Sequence, residues 1–332
     1  MLVKYAYIIF SLPFPFPRLK LPFTFDASTE LKEGSVKEQV ECPDSKHWAE
    51  WLGTLTWEAV CENQLLLSTW AQSDKPEILD QENQALQAKV STIFRILPLV
   101  APLRPPFSDV FMFSGKGVVT QKGLLAQDIR SFSRVNTWTR SYYNEHHWDE
   151  FHDWAQAKVM SPALLDEWKT CYSHYQKLFV LGKANRQLFE GYRSFEEAMK
   201  GTQLEFKIPN LVRALECVID CWGFKDFATR VLFLTGVPDR SLPYSIATDT
   251  EALLQDLYKL RNDCSHGKPF AYSLEKKLGK PPEGELVAKY EFLAEWVARK
   301  VLNGSFMNAS ILQHTHNRDS LVDAWSKGLI KP

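Results

Sequence analysis

Residues 248–270 read TDTEALLQDLYKLRNDCSHGKPF, a stretch that predicts one amphipathic helix with both ends marked. Thr248 and Glu251 stand at capping-box spacing, while Gly267 and Pro269 follow the last polar residues, where helices stop. Between them Leu253, Leu257, Leu260 and Cys264 recur at i, i+4, i+7 and i+11, one apolar stripe at helical period. At about 100° per residue, Asn262 and His266 fall opposite that stripe, and Arg261 falls between the two sides, near Leu254 and Tyr258. The last turn therefore gathers a guanidinium, an amide and an imidazole on a surface that the helix does not bury in its own core.

Working outward, helical periodicity dominates from about residue 140 onward. It predicts helices near 146–158, 162–181, 184–200, 207–222, 224–235, 249–266, 285–303 and 318–328, most of them separated by Gly or Pro. The amino-terminal part differs. Residues 2–12 predict a strand, and the prolines at 13, 15 and 17 suit a sheet edge or a stiff connection. Residues 26–46 suit loop or weak strand, and 47–67 mix helical and strand spacing. Residues 76–97 predict a helix stopped by Pro98, and DVFMFSGKGVVT (109–120) predicts a hairpin about Gly115 and Gly117. The chain is thus expected to be α+β, with a mixed α/β module over 1–140 followed by an all-α module over 141–332.

A length of 332 residues suffices for two domains with proper cores. A net charge of -1 gives no global pull toward nucleic acid or an anionic membrane, so either would need a local patch. Six cysteines at 42, 61, 171, 217, 221 and 264, without a CxxC, fit reduced buried thiols in a cytoplasmic protein better than a disulfide framework. The amino-terminal apolar run is broken by prolines, lacks a small-residue cleavage site and is too short to span a bilayer.

Two clusters read as structure rather than chemistry. NEHHWDEFHDW (144–154) offers His146, His147, Glu150, His152 and Asp153, but their spacing closes no coordination shell, so a polar helix face is expected and no metal. GKGVVTQKG (115–123) lacks the spacing of a phosphate loop. A third stretch is more open. GKPFAYSLEKKLGKPPEG (267–284) predicts a solvated loop, yet Lys268, Lys276 and Lys277, with Lys259 on the preceding helix, stand where a polyanion bound near His266 would meet them.

Arg-x4-His spacing alone says little, since chance supplies about a third of an instance in a chain of this composition. Its neighbours say more. LYKLRNDCSHG (257–267) resembles the R-x4-6-H signature of HEPN domains, with a polar residue directly after the Arg. LVRALECVIDCWG (211–223) and FATRVLFLTG (227–236) precede it in the order of the "ALE" and "R…LLG" helices of the Apea-like HEPN branch, and NRQLFEGYRSFEEAMKG (185–201) suits the same pattern. The resemblance covers roughly 160–330 and leaves 1–140 as a module that senses a trigger or binds a partner protein.

The resemblance implies an up-and-down helical bundle that pairs as a homodimer, and a metal-independent RNA endonuclease acting in antiviral defence or growth arrest, with no cofactor. RNA carries its own nucleophile in the 2′-OH. His266 suits the base and acid, Arg261 the charge developing on phosphate, and Asn262 either orients the imidazole or donates to a phosphate oxygen. Glu216, in the "ALE" motif, and Tyr258 are supporting candidates. Two other readings stand beside this one. In one, the bundle is a non-catalytic scaffold in which Arg261 and His266 make structural or dimer contacts. In the other, Tyr258 and Tyr272 accept a nucleotidyl group from a companion enzyme.

Overall fold

The computed structural model describes residues 2–10, 20–34, 50, 52–62, 65–72, 80–100, 110–121, 123–135, 163–180, 185–201, 203–236, 250–280 and 284–332. The described residues fall into two compact units, one drawn from 1–97, 105–137 and 160–169, the other from 98–104, 138–159 and 170–332. The first carries an antiparallel sheet and the second is helical, an α+β chain. The helix expected at 146–158, with its His, Glu and Asp cluster, lies outside the described residues, as does Thr248.

In the first unit, β1 (Leu2–Phe10), β2 (Phe23–Asp26), β3 (Thr29–Glu33), β4 (Leu65–Gln72), β5 (Phe111–Thr120) and β6 (Gly123–Arg134) form one antiparallel sheet in the order β2-β3-β4-β1-β5-β6. β1, the strand expected over 2–12, is central, which explains why both of its faces are apolar; the prolines at 13, 15 and 17 lie outside the described residues. Val3, Tyr5, Tyr7 and Ile9 pack with Trp57 and Val60 of α1 (Thr54–Glu62). Phe10, on the other face, meets Phe94 of α2 (Asp80–Val100) with ring centroids 5.2 Å apart. Lys4 shares that face and is ion-paired to Glu82, while Gln87 Nε2 donates to Ser114 Oγ and Ser131 Oγ, 2.6 Å each. From α3 (Ala163–Val180), Trp168 Nε1 donates to the Ile93 carbonyl at 2.7 Å.

Two local expectations are corrected. α2 passes through Pro98 to Val100, because burial of Ile96, Leu97, Leu99 and Val100 outweighs one lost main-chain bond in the final turn. Gly115 and Gly117 do not turn the chain. They lie within β5, where the pairing with β6 slips, and the hairpin closes at the pair Thr120–Gly123. A Cβ on Gly117 would stand 2.5 Å from the Leu125 carbonyl oxygen, so glycine is there for close strand approach. Gly117→Ala is expected to cost about 1–3 kcal/mol, read as a lower urea midpoint at unchanged slope. An unmoved midpoint would show that the strand shifts freely.

The second unit is organised on α5 (Leu204–Ile219), which packs on α4 (Arg186–Lys200), α6 (Phe224–Thr235), α7 (Thr250–Ser265), α9 (Gly284–Met307) and α11 (Arg318–Ser326). Helix α5 begins at Leu204 rather than 207 and stops at Ile219 rather than 222. At its end Asp220 turns to φ 39°, and Arg230 reaches back to the Ile219 and Asp220 carbonyls. The stripe Leu253, Leu257, Leu260 and Cys264 of α7 is buried, as its spacing predicts.

The expected loop after α7 is instead the helix α8 (Phe270–Leu278), followed further on by the single turn α10 (Ala309–Leu312). Phe270 and Leu274, four apart, give α8 a buried edge that its lysines obscure. The Phe270 N–H donates to Glu205 Oε1 at 3.0 Å, and Gly279 closes the helix at φ 71°. Helix α9 is buried on all sides over residues 291–299. Within it Glu291 and Glu295 pair with Lys207 of α5, and Glu295 also accepts from Arg299 at 2.8 Å; these four charged residues are all buried.

Candidate functional site

Helix α7 ends as its glycine dictates. The Gly267 N–H donates to the Cys264 carbonyl (2.9 Å) and the Lys268 N–H to that of Asp263 (3.1 Å), with Gly267 at φ 76°. This is the two-bond glycine stop that satisfies otherwise orphaned helix carbonyls. It makes His266 the residue at the helix end, its own N–H donating to the Asn262 and Asp263 carbonyls at 3.2 and 3.1 Å. The imidazole is exposed, and so is Asn262. Among the described residues no side-chain hydrogen bond holds the His266 ring.

Arg261 is held on three sides. Its Nη2 is ion-paired to Glu216 of α5, its Nη1 donates to Asn262 Oδ1 at 2.9 Å, and its guanidinium lies 5.1 Å from the Tyr258 ring centroid. Tyr258 in turn leans on Phe227 of α6 (5.1 Å) and lies close to Cys221. Burial pushes the Tyr258 hydroxyl up to about 12, with Cys221 and Glu216 adding to the effect and Arg261 opposing it. Glu216, Tyr258, Arg261 and Asn262 thus form one contiguous group. Asn262 Oδ1 accepts from Arg261, and the two N–H donors of its amide remain for anything bound.

His266 stands apart from this group. Five residues along a helix turn a side chain by about 140° and carry it about 7.5 Å. A single α7 therefore presents Arg261 and His266 to different sides of any one small group. The pair can act on a common phosphate only through a substrate that wraps the helix end or a second copy that supplies the missing half.

Most of the lysines are engaged. Lys268 Nζ sits 2.6 Å from Asp263 Oδ1 and holds that carboxyl below its usual range. Lys277 pairs with Asp256, which also accepts from the Tyr290 hydroxyl at 3.0 Å, and burial lowers the Lys277 ammonium. Lys259 lies over the Phe224 ring at 4.1 Å and 3.9 Å from Asp256. Lys276 is exposed and has no ion pair among the described residues.

Sequence reasoning passed over three contributors. Arg230, the arginine of the "R…LLG"-like helix, clamps the end of α5. It also donates to Asp226 Oδ1 at 2.9 Å and lies 4.9 Å over the Trp325 ring. Its place in FATRVLFLTG was the available signal. Cys221 supports Tyr258, and Asp256 gathers Lys259, Lys277 and Tyr290; neither carries a local signature.

No thiol here is poised as a nucleophile. Burial, first among the causes, pushes Cys217 up to about 11, Cys221 to about 12 and Cys264 to about 11. At pH 8 about one thiol in a thousand or fewer is then ionised. Native protein treated with iodoacetamide at that pH should leave all three peptides unmodified, and denatured protein should be labelled at each. Rapid native labelling of Cys221 would mean that Tyr258 does not cover it. Among the described residues no group of His, Cys, Asp and Glu is arranged to hold a metal ion, and no helix is long and apolar enough to cross a membrane.

No protein-family model, no curated protein and no solved structure matches this chain.

Proposed function

We propose that the helical unit is an HEPN-like bundle and that the chain is an RNA endonuclease working at the end of α7 without a metal. The observation that carries the reading is the contrast at that helix end. Arg261 is braced by Glu216 and Tyr258, while the side chains of Asn262 and His266 on the same helix end are exposed. In the reaction His266 takes the proton from a 2′-OH, the O2′–P bond forms, and the P–O5′ bond breaks. The leaving oxygen takes a proton from an imidazolium, and the products are a 2′,3′-cyclic phosphate and a 5′-OH. The planar fork of Arg261 stabilises the negative charge growing on the phosphate oxygens, and the Asn262 amide donates to one of them. The angular separation of Arg261 from His266 favours a homodimer in which two helix ends face one RNA strand. Residues 1–140 then serve as the module that meets a trigger or partner.

The test is incubation of the purified chain with total RNA in EDTA, followed by sequencing of cyclic-phosphate ends. Discrete ends from the parent chain, absent from His266→Ala, support the reading; no ends above buffer sink it.

A second reading has its own support. Glu216 already neutralises Arg261, and Asn262 accepts from it, so the arginine also suits a strut between α5 and α7 in a non-catalytic scaffold. In that case Arg261→Ala lowers thermal stability, and the parent chain leaves RNA intact.

A further inference from the structure

We infer that Trp222 is a stacking platform for one unpaired base, so that the RNA bound at this site is single-stranded; this rests on the ribonuclease reading above. Trp222 is 84% exposed, the most open of the large apolar side chains among the described residues. Its backbone is nonetheless fixed. The Trp222 N–H donates to Asp226 Oδ2 at 3.2 Å, and Asp226 is itself held by Arg230. The preceding residue, Cys221, lies close to the tyrosine whose ring carries Arg261.

Trp222 thus follows directly on a residue that neighbours the tyrosine supporting the guanidinium. Phe224, with the Lys259 ammonium 4.1 Å from its ring centroid, adds a second aromatic and a cation two residues on. Aromatic faces interleaved with cations are what sequence-tolerant binders of single strands present.

Two alternatives fit less well. A protein partner needs about 800 Å² on each side, whereas one indole offers about 200 Å², and among its chain neighbours only Phe224, half-buried under Lys259, adds apolar surface beside Asp220, Gly223 and Lys225. A duplex keeps its bases stacked internally and offers no free face to an indole.

The experiment uses the full chain carrying His266→Ala, so that RNA is not consumed, with a labelled oligouridylate and a duplex of equal length in EDTA. Fluorescence anisotropy should show Trp222→Ala binding the single strand about 5- to 150-fold more weakly. Trp222→Phe should retain most of the affinity, and the duplex should bind poorly whichever residue stands at 222. Equal affinity of Trp222→Ala for the single strand overturns the inference, as does preferential binding of the duplex. Failure of the ribonuclease reading looks different: the oligouridylate binds through Trp222, yet the parent chain releases no cyclic-phosphate ends. Because the ring is exposed, Trp222→Ala should melt with the parent, so that lost affinity is not lost fold.

Discussion

If the chain is the proposed ribonuclease, His266→Ala is expected to lower the rate of RNA cleavage in EDTA by about 100- to 10,000-fold, the range over which a positioned acid–base group contributes. The melting temperature should stay within about a degree of the parent, since the ring is exposed and the helix stop at Gly267 depends on main-chain bonds that alanine keeps. Arg261→Lys separates catalysis from scaffolding. Lysine keeps the charge facing Glu216 but loses the planar fork that meets two phosphate oxygens and the face that lies on Tyr258. Under the ribonuclease reading it should lose most of kcat with little change in stability. As a strut alone, the pair is worth about 1 kcal/mol or less at its partial exposure, and lysine would replace it without consequence. Cleavage by His266→Ala and Arg261→Lys at the parent rate, with the same cyclic-phosphate ends, would remove both residues from the site.

The parts of this site that the sequence revealed are those governed by local period. The α7 stripe, its glycine stop and the outward placing of Asn262 and His266 all follow from spacing within one helix, and the fold keeps them. The "ALE" glutamate was legible as a supporting candidate that could meet Arg261, cap a helix or lie on the surface, and its pairing with Arg261 depends on α5 lying beside α7. The sheet was harder to read for the same reason. The apolar run of β1 was legible as a strand but not in its central place, because its partners, residues 65–72 and 111–120, are remote in the chain and carry no pairing signal. In α8 the lysines dominated the composition and hid the Phe270–Leu274 pair that docks the helix. Trp222 reads like any core tryptophan until the surrounding surface is known.

The largest effect on stability is expected at a cluster with no local signature at all. Lys207 lies in EFKIPN, and Glu291, Glu295 and Arg299 recur at four-residue intervals, a pattern that in isolation describes a solvated, ion-paired helix face. In the fold these four residues are at most 4% exposed, and Lys207 of α5 reaches both carboxylates of α9. Two cations and two anions cancel, which makes their burial tolerable. Removing one leaves an uncompensated charge in a medium that solvates it poorly. Lys207→Met is the severest single change, because it leaves two carboxylates one helical turn apart on the same buried helix with Arg299 as their one remaining cation. It should cost about 3–5 kcal/mol, the range for breaking a buried pair. That corresponds to a melting temperature lower by about 6–20 °C for a unit of this size. Adding Glu291→Leu to Lys207→Met should recover much of the loss, since it leaves the neutral Glu295–Arg299 pair and replaces the other ion pair by apolar side chains at little or no cost. A Lys207→Met protein melting within about two degrees of the parent would mean that water reaches these side chains. Because α5 also carries Glu216, loosening its hold on α9 should raise amide exchange around Arg261 as well, and so weaken the site from the far side of the helix that supports it.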